Sequence, residues 1–380
     1  MPNAYKIFLI IIVLILNGCS QSFIKLIIQE DSDPYRMFGK NSKREFYSPV
    51  DLSDSLKLLW ENDAHGNFTN SSVVRYDSNL FVSDLSGRVH SYDLQTGKLR
   101  GVLKTKGAIY SAPIIFDYRF VYPLCSIDEN ETQIISYDFK ESRELFRKNI
   151  SGRVITELIA DDNDIVLCTD NGHIKKISEV GKEIWNTNIN SQIYSNPAAI
   201  NKKLVVTTTD GDFIVINLID GTILVRRKIG VPFFSGITLK ESTAYTADDK
   251  GIIYAIDISD GNILWNYDSK FRILMTPALD NENLFVGNLN GDLISINYLT
   301  GKLNWKKNYD GLFNSTPLIT NNRIIIVDLA SAFFSIDKSN GEIINKYPLD
   351  GRGKLSPVLV GNKIIIGFDN AKIRAYEIIY

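Results

Sequence analysis

The sequence predicts an all-β protein: an eight-bladed β-propeller of four-stranded antiparallel blades, closed where an N-terminal strand completes the C-terminal blade. Three observations predict it. A unit of about forty residues recurs eight times, glycines recur at two fixed places within the unit, and the chain ends carry complementary fragments of one unit.

The unit is clearest over residues 272–311. There the runs TPAL, NLFVGNL, DLISINY and KLNWKKNY are separated by Asn, Asp and Gly, which is the pattern of short strands joined by tight turns. Aligning every copy on the residue equivalent to Pro277 gives Val73, Pro113, Leu158, Pro197, Ile237, Pro277, Pro317 and Pro357. Successive spacings are 40, 45, 39, 40, 40, 40 and 40 residues. Fourteen positions on, in the turn between second and third strands, stand Gly87, Gly172, Gly211, Gly251 and Gly291, with Ser331 and Ala371 in the last two copies. The second copy has a longer turn there, carrying Asp128, Glu129 and Glu131.

A second row, Gly97, Gly181, Gly221, Gly261, Gly301 and Gly341, marks the turn from third to fourth strand. Four residues beyond it come Trp185, Trp265 and Trp305, and Trp60 stands in the equivalent strand ahead of the first anchor. All four tryptophans therefore share one repeat position, which reads as structural packing of indoles against neighbouring turns.

Closure follows from the ends. Leu56–Trp60 is a fourth strand with no blade before it, and the eighth copy stops at Tyr380 with three strands. Joining the two buries the faces that a single meander leaves open and removes the free ends of the array.

The first residues read as an address. Lys6 precedes the apolar run Ile7–Leu16, ten residues against the about twenty that a membrane-spanning helix needs. Residues 1–18 are thus expected to be a signal peptide. Leu16-Asn17-Gly18-Cys19 resembles the bacterial lipobox, which implies cleavage and lipidation at Cys19, and Ser20 after it implies the outer membrane by the same resemblance. Residues 19–54 are expected to form the lipidated N-terminus and a tether, with Phe23–Ile28 packed loosely, and 55–380 to form the propeller.

Composition excludes some classes. A net charge of -2 and a pI near 6.0 lack the basic excess of a nucleic-acid binder. Three cysteines with no CxxC pair and three histidines do not make a structural zinc site. Cys125 and Cys168 fall on second strands of adjacent blades, either as a disulfide or as buried thiols. His65, His90 and His173 show no triad or metal spacing and are read as surface or turn residues.

Residues 255–265 read A-x-D-x-x-x-G-x-x-x-W and residues 295–305 read S-x-N-x-x-T-G-x-x-x-W, while 91–101 keeps the pattern but ends in Gly101. This resembles the tryptophan-docking repeat of pyrroloquinoline-quinone-type propellers. With the lipobox and the bare ring, the chain resembles the BamB family of outer-membrane assembly lipoproteins. That resemblance implies a non-catalytic scaffold without cofactor, facing the periplasm. Its implied partners are the subunits of the β-barrel assembly machinery, and unfolded outer-membrane proteins are a further class of client. The alternatives are a quinoprotein-like dehydrogenase of the same superfamily and a propeller that binds another surface protein or a glycan.

Candidate partner-binding residues lie in the inter-blade loops. Arg153, Arg272 and Arg352 each stand five residues before an anchor, so they read either as a cationic rim around one mouth of the ring or as inter-blade hydrogen-bonding residues. The resemblance directs attention to the loops at 189–195 and 230–235, where Tyr194, Phe233 and Phe234 are aromatic candidates; packing at the strand start accounts for them equally. Fourth strands at the blade rim also offer edges for β-augmentation.

Overall fold

The computed structural model describes residues 22–31 and 33–379; the expected signal peptide and Cys19 lie outside them. Among the described residues there are eight four-stranded antiparallel sheets, arranged as an eight-bladed propeller. Blades 1 to 7 occupy 74–104, 114–151, 159–188, 198–228, 238–268, 278–308 and 318–348. The eighth sheet runs in the order Ser55–Asp63, Lys372–Ile379, Lys363–Phe368, Gly353–Val360, so the N-terminal strand is the outer strand of the last blade.

Burial changes systematically from the axis outward. First strands of blades 1 to 7 are short, as in Leu318–Ile319, because little width is available near the axis. Second and third strands lie between two neighbouring blades and are buried on both faces. Ile324–Val327 is accordingly a continuous apolar run rather than an alternating one, and Phe333–Ile336 is buried throughout, interrupted only by Ser335. Fourth strands meet solvent and alternate, as Leu303–Asn308 does.

The seam is a full ladder. Ser55 faces Ile379, Trp60 faces Ala375 and Asp63 faces Lys372. Charges reinforce it: Glu61 accepts from Arg374, and Lys372 lies 3.2 Å from Glu61.

The four indoles fasten blade to blade. Each donates Nε1–H to a carbonyl in the next blade: Trp60 to Leu94 (3.0 Å), Trp185 to Leu218 (3.1 Å), Trp265 to Tyr298 (2.8 Å) and Trp305 to Lys338 (3.0 Å). Each ring lies on the turn glycine of that blade. At Gly301, a Cβ would come within 2.7 Å of the Trp265 ring, and φ is +71°, so both space and backbone require glycine. In the other row of turns, Ser331 and Ala371 take up the same left-handed conformation as the glycines they replace, with φ of 72° and 58°.

The segment read as a tether behaves differently from that expectation: from Ser22 onward it is a packed element. Two features account for it. First, Gly101 leaves blade 1 without an indole, and residues 23–26 fill the place. Phe23 bridges Val102, Ile24 is fully buried, and Leu26 donates its backbone N–H to the Phe139 carbonyl, the blade 2 equivalent of Leu94 and Leu218.

Second, residues 35–48 cross the ring beneath its first strands. The backbone N–H groups of Arg75, Ile115, Ala199, Leu239 and Ile319 donate to Tyr35, Arg36, Ser42, Lys43 and Phe46, each at the position two beyond its blade's anchor. Ser42 Oγ donates to Ala160 O at 2.8 Å, so six blades hold the segment. At its centre the fully buried Arg44 donates to the carbonyls of Phe38 (2.8 Å), Pro197 (2.9 Å) and Leu158 (3.0 Å). The segment lacks periodicity because its partners surround it instead of forming a single sheet neighbour. Its buried apolar side chains are Met37, Phe38 and Phe46.

Candidate functional site

With one mouth floored by the N-terminal segment, the opposite mouth is formed by the eight inter-blade loops and the turns between second and third strands. Each loop is tied to its own blade's turn by a backbone bond: Asp170 N–H donates to Arg153 O (2.8 Å), Leu289 to Arg272 O (2.9 Å) and Asp369 to Arg352 O (2.9 Å). The arginine position is therefore a structural rung whose side chain is free to serve the rim.

The three guanidinium groups do not form an unpaired cationic rim. Arg272 is ion-paired with Asp249 in the turn of the preceding blade, and Arg352 with Asp369 in its own. Arg153 donates to the Tyr110 hydroxyl. These residues sit on the separate loops that lead into blades 6, 8 and 3, and carboxylate partners offset the charge of Arg272 and Arg352.

What two of them hold is aromatic. The Arg272 guanidinium lies 5.1 Å above the Phe234 ring, and that of Arg153 5.1 Å above Tyr110. Phe234 in turn packs against Tyr194, with centroids 6.0 Å apart. Tyr110, Tyr194 and Phe234 each stand three residues before an anchor, so one repeat position supplies an aromatic arc on three of the loops. Tyr194 is 39% exposed and Phe234 is half-buried. Phe233 is a correction: it is fully buried, packed at 6.0 Å against Tyr254, and its N–H donates to Thr208 O, so it belongs to the core and not to the rim.

The arc walls a cavity of about 280 Å³ in the mouth, floored by Glu157, Asn196 and Thr276. Glu157 is fully enclosed; it accepts from Ser71 Oγ and, at 3.0 Å, from Ala112 N–H. Burial pushes its carboxyl up to about 7, against the pull of Arg44, Ser71 and the Ala112 amide. A second recess, about 310 Å³, lies between Tyr110, Arg153 and the long turn of blade 2, whose tip Ile127 is 77% exposed. That turn is held by Ser126 N–H to Glu131 O and by Gly152 N–H to Asn130 O.

Tyr110, Ile127 and Glu157 were not singled out from the sequence. For Tyr110 the signal was present, since it shares its repeat position with Tyr194 and Phe234.

The histidine expectation also changes. His90 is fully buried, 2.9 Å from Asp84, and stacks on His65 and Tyr92. This resembles a catalytic dyad only in composition. Asp84 also caps the N–H groups of Ser86 and Arg88 in its turn, as Asp248 caps those of Lys250 and Ile252 while accepting from Tyr254. The pair is thus the blade 1 form of a turn fastener that blade 5 makes with tyrosine. Cys125 and Cys168 are free and buried.

A family model described as outer membrane protein assembly factor BamB matches residues 170–274 and 269–379, more than half of the chain. The chain belongs to this BamB repeat family. BamB of Nitrosomonas eutropha is 22% identical over 144 residues, covering 37% of this chain and 35% of the relative. BamB of Moranella endobia is 21% identical over 266 residues, covering 62% of this chain and 66% of the relative. The chain thus spans between about a third and two thirds of these relatives. The crystal structure of BamB from Moraxella catarrhalis superposes with a TM-score of 0.71 at 14% identity, covering 85% of this chain and all of that one. A quinohemoprotein alcohol dehydrogenase from Pseudomonas putida superposes with a TM-score of 0.77 at 11% identity, covering 91% of this chain and 80% of that one. At such identities, these likenesses to BamB and to the dehydrogenase alike show the propeller fold.

Proposed function

We propose that this BamB-like propeller is a non-catalytic scaffold of the outer-membrane β-barrel assembly machinery, held at the periplasmic face of the outer membrane by lipid on Cys19. Its loop face docks on the periplasmic part of the barrel subunit. The observation that carries the reading is the Tyr194–Phe234 pair, presented at the one mouth that the N-terminal segment leaves open and braced by Arg272 and Asp249. Aromatic side chains held rigid beside arginine give large contact area at small entropic cost, the composition of interface hot spots.

The test is affinity capture from detergent-solubilised membranes with the full-length chain as bait. The double variant Tyr194→Ala/Phe234→Ala is expected to lose the barrel-assembly subunits, with an affinity loss of about thirtyfold or more for two anchors of hot-spot size. Arg272→Glu, which sets two carboxylates against each other at Asp249, is expected to weaken capture by loosening the Phe234 brace. Capture unchanged in both variants would remove the aromatic arc from the docking face.

The dehydrogenase reading requires a quinone and a calcium ion at the ring centre. The residues there do not fit them. Phe38 and Arg44 fill the centre from one side, and the carboxylate facing it from the other, Glu157, is already bonded to Ser71 and Ala112. Among the described residues no group of three or more His, Cys, Asp or Glu side chains is placed to hold a metal.

A further inference from the structure

On the face opposite the loop mouth, a cleft of about 670 Å³ opens between blades 6 and 7, within the range of about 300–1,000 Å³ usual for ligand sites. Two repeat positions explain why it opens there. Asn283 begins the second strand of blade 6 where blades 2 and 7 place Arg119 and Arg323. Those long side chains cross to the next blade, Arg119 to Asn163 O at 3.0 Å and Arg323 to Asp54. Asn304 takes the place of Leu224 and Leu264 in blades 4 and 5, and of Arg100 in blade 1, which there reaches Asn79 at 2.6 Å. Two short amides thus leave space that longer side chains occupy elsewhere in the ring.

The wall is dense in uncharged hydrogen-bonding groups. Asn304 Nδ2 donates to Asn283 Oδ1 at 2.7 Å, Tyr47 Oη donates to Asn321 Oδ1 at 2.6 Å, and Asn297 Oδ1 accepts from Thr300 N–H at 3.0 Å. These bonds orient the amides. Among the described residues the Nδ2 groups of Asn283, Asn297 and Asn321 and Oδ1 of Asn304 have no protein partner, which leaves three donors and an acceptor for a ligand. Of the charged groups on the wall, Lys338 is paired with Asp280 at 2.8 Å, and the Glu282 carboxylate is left as a further hydrogen-bond acceptor. Trp305 spends its N–H on Lys338 O and contributes only its ring, and Tyr47 supplies a second ring from the N-terminal segment. An anion finds no free cation here and meets the Glu282 carboxylate, and a metal cation finds no cluster of three acids or other ligands among the described residues. An apolar ligand would strand the amides.

We propose that this cleft binds a neutral saccharide. Amides present a donor and an acceptor side by side, which matches vicinal hydroxyls, and the two rings suit the C–H faces of a pyranose. An extended peptide fits less well. Its recognition uses a row of main-chain groups along a strand edge, whereas these groups are side chains from two blades and the N-terminal segment around a pit.

The test is titration calorimetry and saturation-transfer NMR on the full chain, with N,N′-diacetylchitobiose and maltose as probes and a neutral extended peptide as the competing class. Saturable binding of at least one disaccharide is expected. It should weaken about tenfold or more in Asn283→Arg and in Asn304→Leu, each of which installs the residue of a neighbouring blade and removes at least one hydrogen bond. Circular dichroism and Tm verify that each variant keeps its fold. Absence of binding by both disaccharides overturns the proposal. So does equal affinity in both folded variants, or binding of the peptide alone.

Discussion

The backbone N–H of Leu26 donates to the Phe139 carbonyl at 2.8 Å, taking the place that an indole N–H takes at four other blade junctions. Blade 1 ends its repeat in Gly101, and a Cβ there would lie 2.7 Å from Phe23 O and 3.1 Å from Ile24 Cα. Residues 23–24 in their docked position and a side chain at 101 exclude each other.

It follows that Gly101→Trp evicts residues 22–31 while supplying the missing indole. Tryptic cleavage at Lys25, between the buried Ile24 and Leu26, is expected to accelerate about tenfold or more, since local docking of two apolar side chains is lost. The ring itself should keep its denaturation midpoint. An unchanged cleavage rate would show that the strand is held by something other than this groove.

Arg44 makes a stronger demand. Burial brings its guanidinium down to about 10, against the pull of Glu157, so it stays charged at neutral pH inside the ring. Arg44→Met leaves buried carbonyls of Phe38, Pro197 and Leu158 without their donor, and an expected loss of about 3–5 kcal/mol follows for a buried charge network broken on one side. Urea unfolding measures it. Arg44→Lys, with the charge but a single donor centre, should recover only part.

Glu157 gives the fold a pH dependence of defined sign. Its folded pKa, about 7, lies above the ordinary value of 4.5, so between those pH values the folded chain binds more protons than the unfolded one. The associated stability is fully present below the unfolded pKa and is lost as pH rises through 7. Its size is on the order of 3 kcal/mol. Comparing urea midpoints at pH 5 and pH 8, Glu157→Gln should flatten this component relative to the parent chain. An equal slope in both proteins would assign the dependence to other groups.

Ser331 and Ala371 hold left-handed backbone at turns where other blades have glycine. Ser331→Gly and Ala371→Gly are each expected to stabilise the ring by about 0.5–1 kcal/mol, the relief of αL strain less the added chain entropy of glycine. Urea midpoints that fall instead would show that the side chains contribute packing that outweighs the strain.

The repeat was legible because each landmark has one physical cause. Turn glycines and docking tryptophans recur wherever the blade geometry recurs, and the orphan strand Leu56–Trp60 pointed to its partner at Ala375. The floor of the ring was not legible. Residues 35–48 take successive partners from six blades, so no periodicity marks them, and Arg44 among polar neighbours resembles any solvated charge. At the mouth, Tyr194 and the arginine positions were readable as loop residues, but their pairing was not. Asp249 and Asp369 lie in turns 23 and 17 residues away from Arg272 and Arg352, and only the folding and stacking of the blades brings them together. Phe233 and Phe234 are adjacent in sequence and opposite in role, a distinction set by which side of the strand start each one faces.

The floor segment also imposes an order of assembly. Tyr35 and Phe46 leave the ribosome early, yet Phe46 bonds to Ile319 and Val50 to Asn321, which are translated nearly the whole chain later. A segment made early therefore cannot complete its contacts until blade 7 has been made. Blades 1 to 5 and blade 7 must stand in place before all of its partners exist, and its seating ties them from the inside much as the outer strand of blade 8 ties the ring from the outside. A chain arrested before blade 7 would leave Phe46 and Val50 without these partners.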